Sequence, residues 1–379
     1  MNKKAHSFLT TLKKGTSLVL LPLLFLTACA EVIELNIEEA ADRIVIYGRI
    51  SNSNNANEVT IARTQGAERA QLPVSGATVR VIDNNDVARL FVETEPGLYV
   101  LQNSDAPGEF GNSYRLEAVV DQQVYSTAFQ ELMPVIAQDE LRYEIGVQRD
   151  ITASGASISN DVVNIFSDSS LPNDLPEKFF IRWEIEEAYS TLTTVLPVFW
   201  FPRAPPQQQC YIVNKLGGDN IFLLDGRQIR NSQLNNRKII SRVIDNSFQN
   251  KHYFNLIQSS ISEENHDYWE KVKTLTVANG SIFDSVVGEL NGNISSEDPT
   301  EEVFGFFEVI GIDTTRLLMT NNDIPVFFVD PCLFLGDKVP PLLTVPFGCV
   351  QCLLDEKLIE EECLFCFTIS NSTSRPSYF

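Results

Sequence analysis

Four cysteines near the end of the chain have a spacing that could do chemistry: Cys349-x2-Cys352-x10-Cys363-x2-Cys366. Four thiolates on two such turns can close a tetrahedral zinc site, as in a ribbon or knuckle. In an exported chain, thiols meet oxidising conditions and disulfides compete with the metal. With Cys210 and Cys332 the set becomes even, which favours the oxidised reading, so neither a metal nor any other cofactor is expected. The two turns could be stapled crosswise or bridged within each turn, with Cys210 and Cys332 as the remaining pair; the connectivity stays open. A bridge within a turn is the form typical of oxidoreductases, but no thioredoxin-like βαβ pattern surrounds either turn.

Other constellations are weaker. His252 and His266 read as surface or interface histidines. A Ser-His-Asp triad would need one of them, and no Gly-x-Ser-x-Gly elbow is present. Neither a P-loop nor a dinucleotide fingerprint appears. Glu184, Glu186 and Glu187 could mimic the carboxylate pair of a glycosidase, with alternation turning Glu184 and Glu186 the same way. In so acidic a chain they read as a solvated face, and a hydrolase is only a remote alternative. Tyr268-Trp269 reads as core rather than as a ligand platform. Leu196-Pro197-Val198-Phe199-Trp200-Phe201-Pro202, followed by Arg203-Ala204-Pro205-Pro206, reads as a proline-framed loop. Phe199, Trp200 and Phe201 are candidate partner contacts, because exposed aromatic loops mark partner surfaces. The competing reading folds this loop onto the second domain.

The elements that must position these residues are mostly strands. Ile44–Ile50, Val74–Ile82, Leu90–Thr94, Leu98–Leu101, Tyr114–Val120 and Gln123–Ala128 are short strand-like runs separated by turn residues such as Asp83-Asn84-Asn85-Asp86. Their spacing predicts a small antiparallel sandwich. Beyond Pro134 come Phe179–Ile185, Lys238–Ile244, Tyr253–Ile261 and Phe304–Ile310. One helix is predicted after Ser262, with Glu263 and Glu264 in its first turn and Asn279-Gly280 at its end.

The start of the chain sets an address. Lys3, Lys4, Lys13 and Lys14 precede an apolar run from Ser17 to Leu26, then Leu26-Thr27-Ala28-Cys29. This is a secretory signal ending in a lipobox, with Cys29 as the lipidated (diacylglycerol- and palmitate-type) residue. The run is too short to span a bilayer as a finished helix. Cleavage before Cys29 would remove those four lysines and no acid, taking the formal charge from −21 to −25. A chain so acidic lacks the basic face that nucleic acid requires. Residues 1–28 are thus the expected signal peptide and 29–41 a lipidated acidic tether. Residues 42–133 form an expected sandwich, and 134–379 a β-rich domain with a cysteine-rich tail at 331–379.

Two resemblances follow. Pro73-Val74-Ser75-Gly76-Ala77-Thr78-Val79, then Gly97-Leu98-Tyr99, resemble the prealbumin-like carboxypeptidase regulatory modules, Ig-like stalks without catalysis. Cys210-Tyr211-Ile212-Val213, the stretch from Ile261 to Lys271, Gly280 to Asp284, Gly292-Asn293-Ile294, Phe304 to Val309, and the cysteine-rich end closing in Arg375-Pro376-Ser377-Tyr378-Phe379 resemble the domain of unknown function 4249 family of Bacteroidota outer-membrane lipoproteins. The strand-like runs and the first resemblance make the expected fold mainly β: an N-terminal Ig-like or prealbumin-like β-sandwich, then a larger β-rich domain with one prominent helix and a cysteine-rich C-terminal segment. The second resemblance implies an outer-membrane lipoprotein, lipid-anchored, with a TonB-dependent receptor or other envelope protein as partner; the acids after Cys29 fit export to the cell surface and an ordinary solvated linker equally. The expected function is non-enzymatic assistance to nutrient capture; the alternative is a surface adhesin or structural envelope component.

Overall fold

Tyr114, Leu116, Ala118 and Val120 are buried and alternate with the half-exposed Ser113, Arg115, Glu117 and Val119. This period of two is a strand with one face on a core. Asp121 and Gln122 follow with φ of 49° and 71°, the paired left-handed geometry of a two-residue hairpin turn. The computed structural model describes residues 43–379 except 55–56, 66–70, 103–106, 153, 174–177, 197–198, 200, 218–221, 230–232, 279–291, 325, 327, 329–331, 333–345 and 356–358. The signal, Cys29 and the tether lie outside the described residues.

The chain is mainly β. Its first strands are β1 (Ile44–Ser51), β2 (Glu58–Arg63), β3 (Leu72–Pro73), β4 (Thr78–Asp83), β5 (Ala88–Glu95), β6 (Leu98–Leu101), β7 (Ser113–Val120), β8 (Gln123–Thr127) and β9 (Gln130–Glu131). Then come β10 (Gln138–Ile151), β11 (Ser157–Ser170), β12 (Phe180–Leu192), β13 (Gln209–Leu216), β14 (Phe222–Asp225), β15 (Gln233–Val243) and β16 (His252–Ile261). The helix α1 (Glu263–Ala278), β17 (Ile294–Ser296), β18 (Phe304–Met319), the short helix α2 (Val350–Asp355) and β19 (Ser372–Thr373) complete the order. One sixteen-stranded sheet runs β17-β8-β7-β4-β5-β6-β2-β1-β18-β16-β12-β13-β19, with β3, β9 and β14 paired off this path. β10, β11 and β15 form a second sheet of three strands.

Two cores result. The first is built on β1, β2 and β4–β8, but it also takes Ile294, Phe307 and Val309 from beyond residue 134. β1 pairs with β18 in parallel, Val45 opposite Phe304 through Ser51 opposite Ile310. The second core lies between the two sheets: Leu141, Val163, Ile165 and Ile239 face Ile181, Trp183, Ile185 and Phe254.

Several short motifs have a direct physical reason. The Tyr99 hydroxyl donates to the Val74 carbonyl at 2.8 Å and accepts from the Ala77 N–H at 3.0 Å. Glu93 accepts from the N–H groups of Gly76 and Gly97. The Pro-Val-Ser-Gly-Ala and Gly-Leu-Tyr stretches are therefore two sides of one knot. Gly305 has φ of +107°, and a Cβ there would lie 1.9 Å from the Ile46 carbonyl oxygen. Asn293 donates to the Phe307 carbonyl at 2.8 Å and accepts from its N–H at 2.9 Å, a side chain acting as a strand partner. At α1, Ser262 Oγ accepts from the Asn265 N–H at 3.2 Å, the expected cap.

The cysteines form disulfides, in a pairing that corrects part of the expectation. Cys349 and Cys352 bridge within their own turn, whereas the second turn is split: Cys363 joins Cys332 and Cys366 joins Cys210. Cys210 and Cys332 are therefore not a pair. A small third core gathers Leu196, Phe201, Leu353, Ile359 and Leu364 around Cys363. The partner-contact reading of the proline-framed loop is corrected at one position: Phe201 is only 4% exposed and belongs to this core, while Phe199 is 78% exposed. Trp200 lies outside the described residues. The chain end is also seated, with Phe379 against Tyr211 and Tyr253, and Tyr378 beneath the Arg316 guanidinium.

Candidate functional site

Strand alternation creates the site. On β18, Phe307 and Val309 enter the first core, so Phe306 and Glu308 point out of the opposite face. On β1 the same rule sends Ile46 and Ile50 inward and Tyr47 and Arg49 outward, and on β12 it turns Arg182 and Glu184 away from Trp183 and Ile185. The outward groups converge under α1, where they line a cavity of about 190 Å³ roofed by Tyr268 and Trp269.

At its floor, Arg182 is 2% exposed and makes a two-pronged pair with Glu308, one prong at 3.0 Å. The Trp269 indole N–H donates to Glu308 at 2.6 Å, and the Arg182 guanidinium lies 4.4 Å from the indole ring centre. Arg182 also reaches Glu184 at 3.4 Å. Burial works against the charged form of Arg182, but the neighbouring charges of Glu308 and then Glu184 outweigh it and raise its pKa. Burial alone would raise the Glu308 carboxyl; the Arg182 charge, with hydrogen bonds from Arg182 and Trp269, holds it below its ordinary value. Both groups therefore stay ionised near neutral pH.

The rim is softer. Arg49 lies 3.7 Å from Glu58 and 4.0 Å from Glu184. The Tyr268 hydroxyl donates to the Tyr47 hydroxyl at 3.1 Å, while the Tyr47 side chain keeps 41% of its surface open. Tyr268 packs on Phe306 with ring centres 4.5 Å apart. The core reading suits Tyr268, whereas Trp269 contributes to a ligand-sized cavity. Glu186, on the same face of β12, has its carboxyl pushed up by burial, with Lys215 opposing, but it lies off the cavity lining, so Glu184 and Glu186 do not form a pair within it.

A second polar cluster occupies the other face of β12 and overturns one expectation: Glu187 is 1% exposed rather than solvated. His252 in this cluster, and His266 on α1 against Phe180, are both buried between elements, the interface placement rather than the surface one. His252 is stacked flat on Phe248 at 4.0 Å and lies 3.2 Å from Glu187. That contact is off the hydrogen-bond direction of Nε2. Glu187 accepts hydrogen bonds from Arg242 at 2.7 Å and from Asn214 at 2.8 Å. Burial would raise its carboxyl, but His252, Arg242 and Asn214 bring it down to about 2. The sign follows from linkage: a depressed folded-state value gives stability that is fully present above the unfolded value, near 4.5, and is lost as pH falls toward 2. The contribution is about 3 kcal/mol. Glu187→Gln should therefore show a shallower loss of stability between pH 4.5 and 2 than the parent, read from urea midpoints along that range. Parallel acid limbs would show that Glu187 is not the titrating group.

Among the described residues no group of three or more His, Cys, Asp or Glu side chains is placed to hold a metal ion. Among them, too, no helix is long and apolar enough to cross a membrane, which says nothing of β-barrels. A mainly β chain with a disulfide-tied end and a mixed-charge, aromatic-roofed cavity is the class that this geometry defines. The chain belongs to the family described as Domain of unknown function (DUF4249), whose profile matches residues 30–316. The matched span ends inside β18 and takes in every cavity residue named above, while five of the six bridged cysteines lie beyond it. No curated protein and no solved structure matches the chain.

Proposed function

We propose that this chain is a non-enzymatic lipoprotein of the outer membrane that captures a small ligand in the cavity under α1 and acts as accessory to a TonB-dependent receptor. The observation that carries the reading is the cavity floor. Arg182 and Glu308 are committed to each other and to Trp269, and both are held ionised. Neither is poised to give or take a proton near neutral pH, whereas a general acid or base needs a pKa close to the working pH. What the cavity offers is contact, from fixed dipoles and aromatic walls. The address comes from the sequence, through the basic start, the apolar run and Cys29. The receptor contact is assigned to the disulfide-tied end, where Phe199 stands exposed.

The test is recovery of the membrane-anchored chain in gentle detergent, with co-purifying proteins identified by mass. An outer-membrane receptor should be recovered with the parent and at least several-fold less with Phe199→Ala. Cys29→Ser should remain unprocessed or leave the outer-membrane fraction. Recovery of no receptor would remove the accessory role. A processed Cys29→Ser variant that resists a carbonate wash would remove the lipid anchor.

A further inference from the structure

The ligand class is written in the charge balance of the cavity. Its lining sets Arg49, Arg182 and Lys215 against Glu58, Glu184 and Glu308, so its formal charge is zero in a chain whose total is −21. An anionic ligand would meet Glu58 and Glu184, and an organic cation would meet Arg49 and Lys215; neither finds a site of one sign. At the rim the half-exposed Glu58 and Glu184 carboxylates can accept further hydrogen bonds beside the Arg49 guanidinium, since a carboxylate accepts at several positions and a guanidinium donates from five N–H groups. A ligand without ionised groups exploits both signs by donating and accepting from neighbouring atoms, which is the pattern of vicinal hydroxyls; a zwitterion, the other class of zero net charge, leaves the aromatic wall unused.

The aromatic wall points the same way. Tyr47 is 41% exposed, yet its hydroxyl is fixed against Tyr268, so the ring is held as a rigid open platform at the rim. A pyranose has an apolar C–H face suited to such a ring and a hydroxyl edge suited to the paired charges beside it. The volume of about 190 Å³ falls below the roughly 300 Å³ at which pockets for larger organic ligands begin, so it seats a single ring. We infer that the cavity under α1 binds one neutral sugar ring, either a monosaccharide or one residue of a longer glycan, with Tyr47 as the stacking platform. This rests on the reading of the cavity as a capture site.

The test uses the full lipidated chain in detergent, labelled with fluorotryptophan, with each resonance assigned by single Trp→Phe variants. Methyl glycosides of glucose, galactose and mannose, and N-acetylglucosamine, are titrated beside glucuronate, glycine betaine and glutamate. At least one neutral sugar should move the Trp269 resonance saturably, with a midpoint independent of salt. Tyr47→Ala should weaken that sugar at least tenfold with no change in thermal midpoint, while Tyr47→Phe, which keeps the platform, should stay within a few-fold. If only the charged compounds move Trp269, and their binding falls with salt, the sugar class is wrong while ligand capture stands. If nothing moves Trp269, the cavity is not a site for any of these classes, and both the inference and the capture reading fall.

Discussion

Glu308→Ala is expected to destabilise the fold by about 3–5 kcal/mol, because it leaves the largely desolvated Arg182 charge without its two-pronged partner. Arg182 is 2% exposed, and its two charged neighbours are Glu308 and Glu184. Glu184 alone, at 3.4 Å and near the rim, is a poor substitute. The double replacement Arg182→Met with Glu308→Leu removes both charges and keeps most of the volume, so it should cost far less than the single change. Denaturant midpoints for the three variants decide the matter. If the double variant is as unstable as Glu308→Ala, the cost lies in packing and the paired charges are incidental.

The second large effect concerns the disulfides, which should rank by the length of chain they close. In the chain-entropy account a cross-link removes freedom from the unfolded state, and more so for longer loops. Cys210–Cys366 spans a separation of 156 residues, Cys332–Cys363 spans 31 and Cys349–Cys352 spans 3. Paired Cys→Ser replacement should then cost about 5, about 4 and under about 2 kcal/mol in that order. The first value is the largest because its loop is by far the longest, so its removal returns the most freedom to the unfolded chain. Unfolding in urea under non-reducing conditions gives the three values, and an order independent of separation would refute the account.

What was legible in the residues divides by the range of the interaction. The helix α1 begins where Ser262, Glu263 and Glu264 say it should, because capping is a local matter. Most strands of the first core also follow from alternation. The long β10–β11 hairpin escaped although Leu141, Tyr143, Ile145 and Val147 take alternate positions on β10; on β11 the core face includes Ser167 and Ser169, which masks the period there. Disulfide bonding of the cysteines was legible from their even number, but the pairing was not, since it depends on where β13 and Cys332 come to rest. The site was missed for a similar reason: its groups come from β1, β2, β12, β13, β18 and α1. A clue was nonetheless present. Arg182 stands alone in Phe179-Phe180-Ile181-Arg182-Trp183, and Glu308 stands alone in Phe304-Gly305-Phe306-Phe307-Glu308-Val309. A single charge inside each of two apolar strands requires a partner of opposite sign, and these two supply it to each other.

The parallel pairing of β1 with β18 sets an order of events for a chain that emerges from its N-terminal end. Val45 cannot find its neighbour until Phe304 has been delivered, and the first core waits for Ile294, Phe307 and Val309. Until then β1 keeps one edge unpaired, an open template for any other extended chain. Pairings this distant in sequence are slow to form, so the nascent protein spends its vulnerable interval as an incomplete sheet. A segment ending at residue 133 would remain in that state permanently. The first core is complete only once the span through β18 has been delivered.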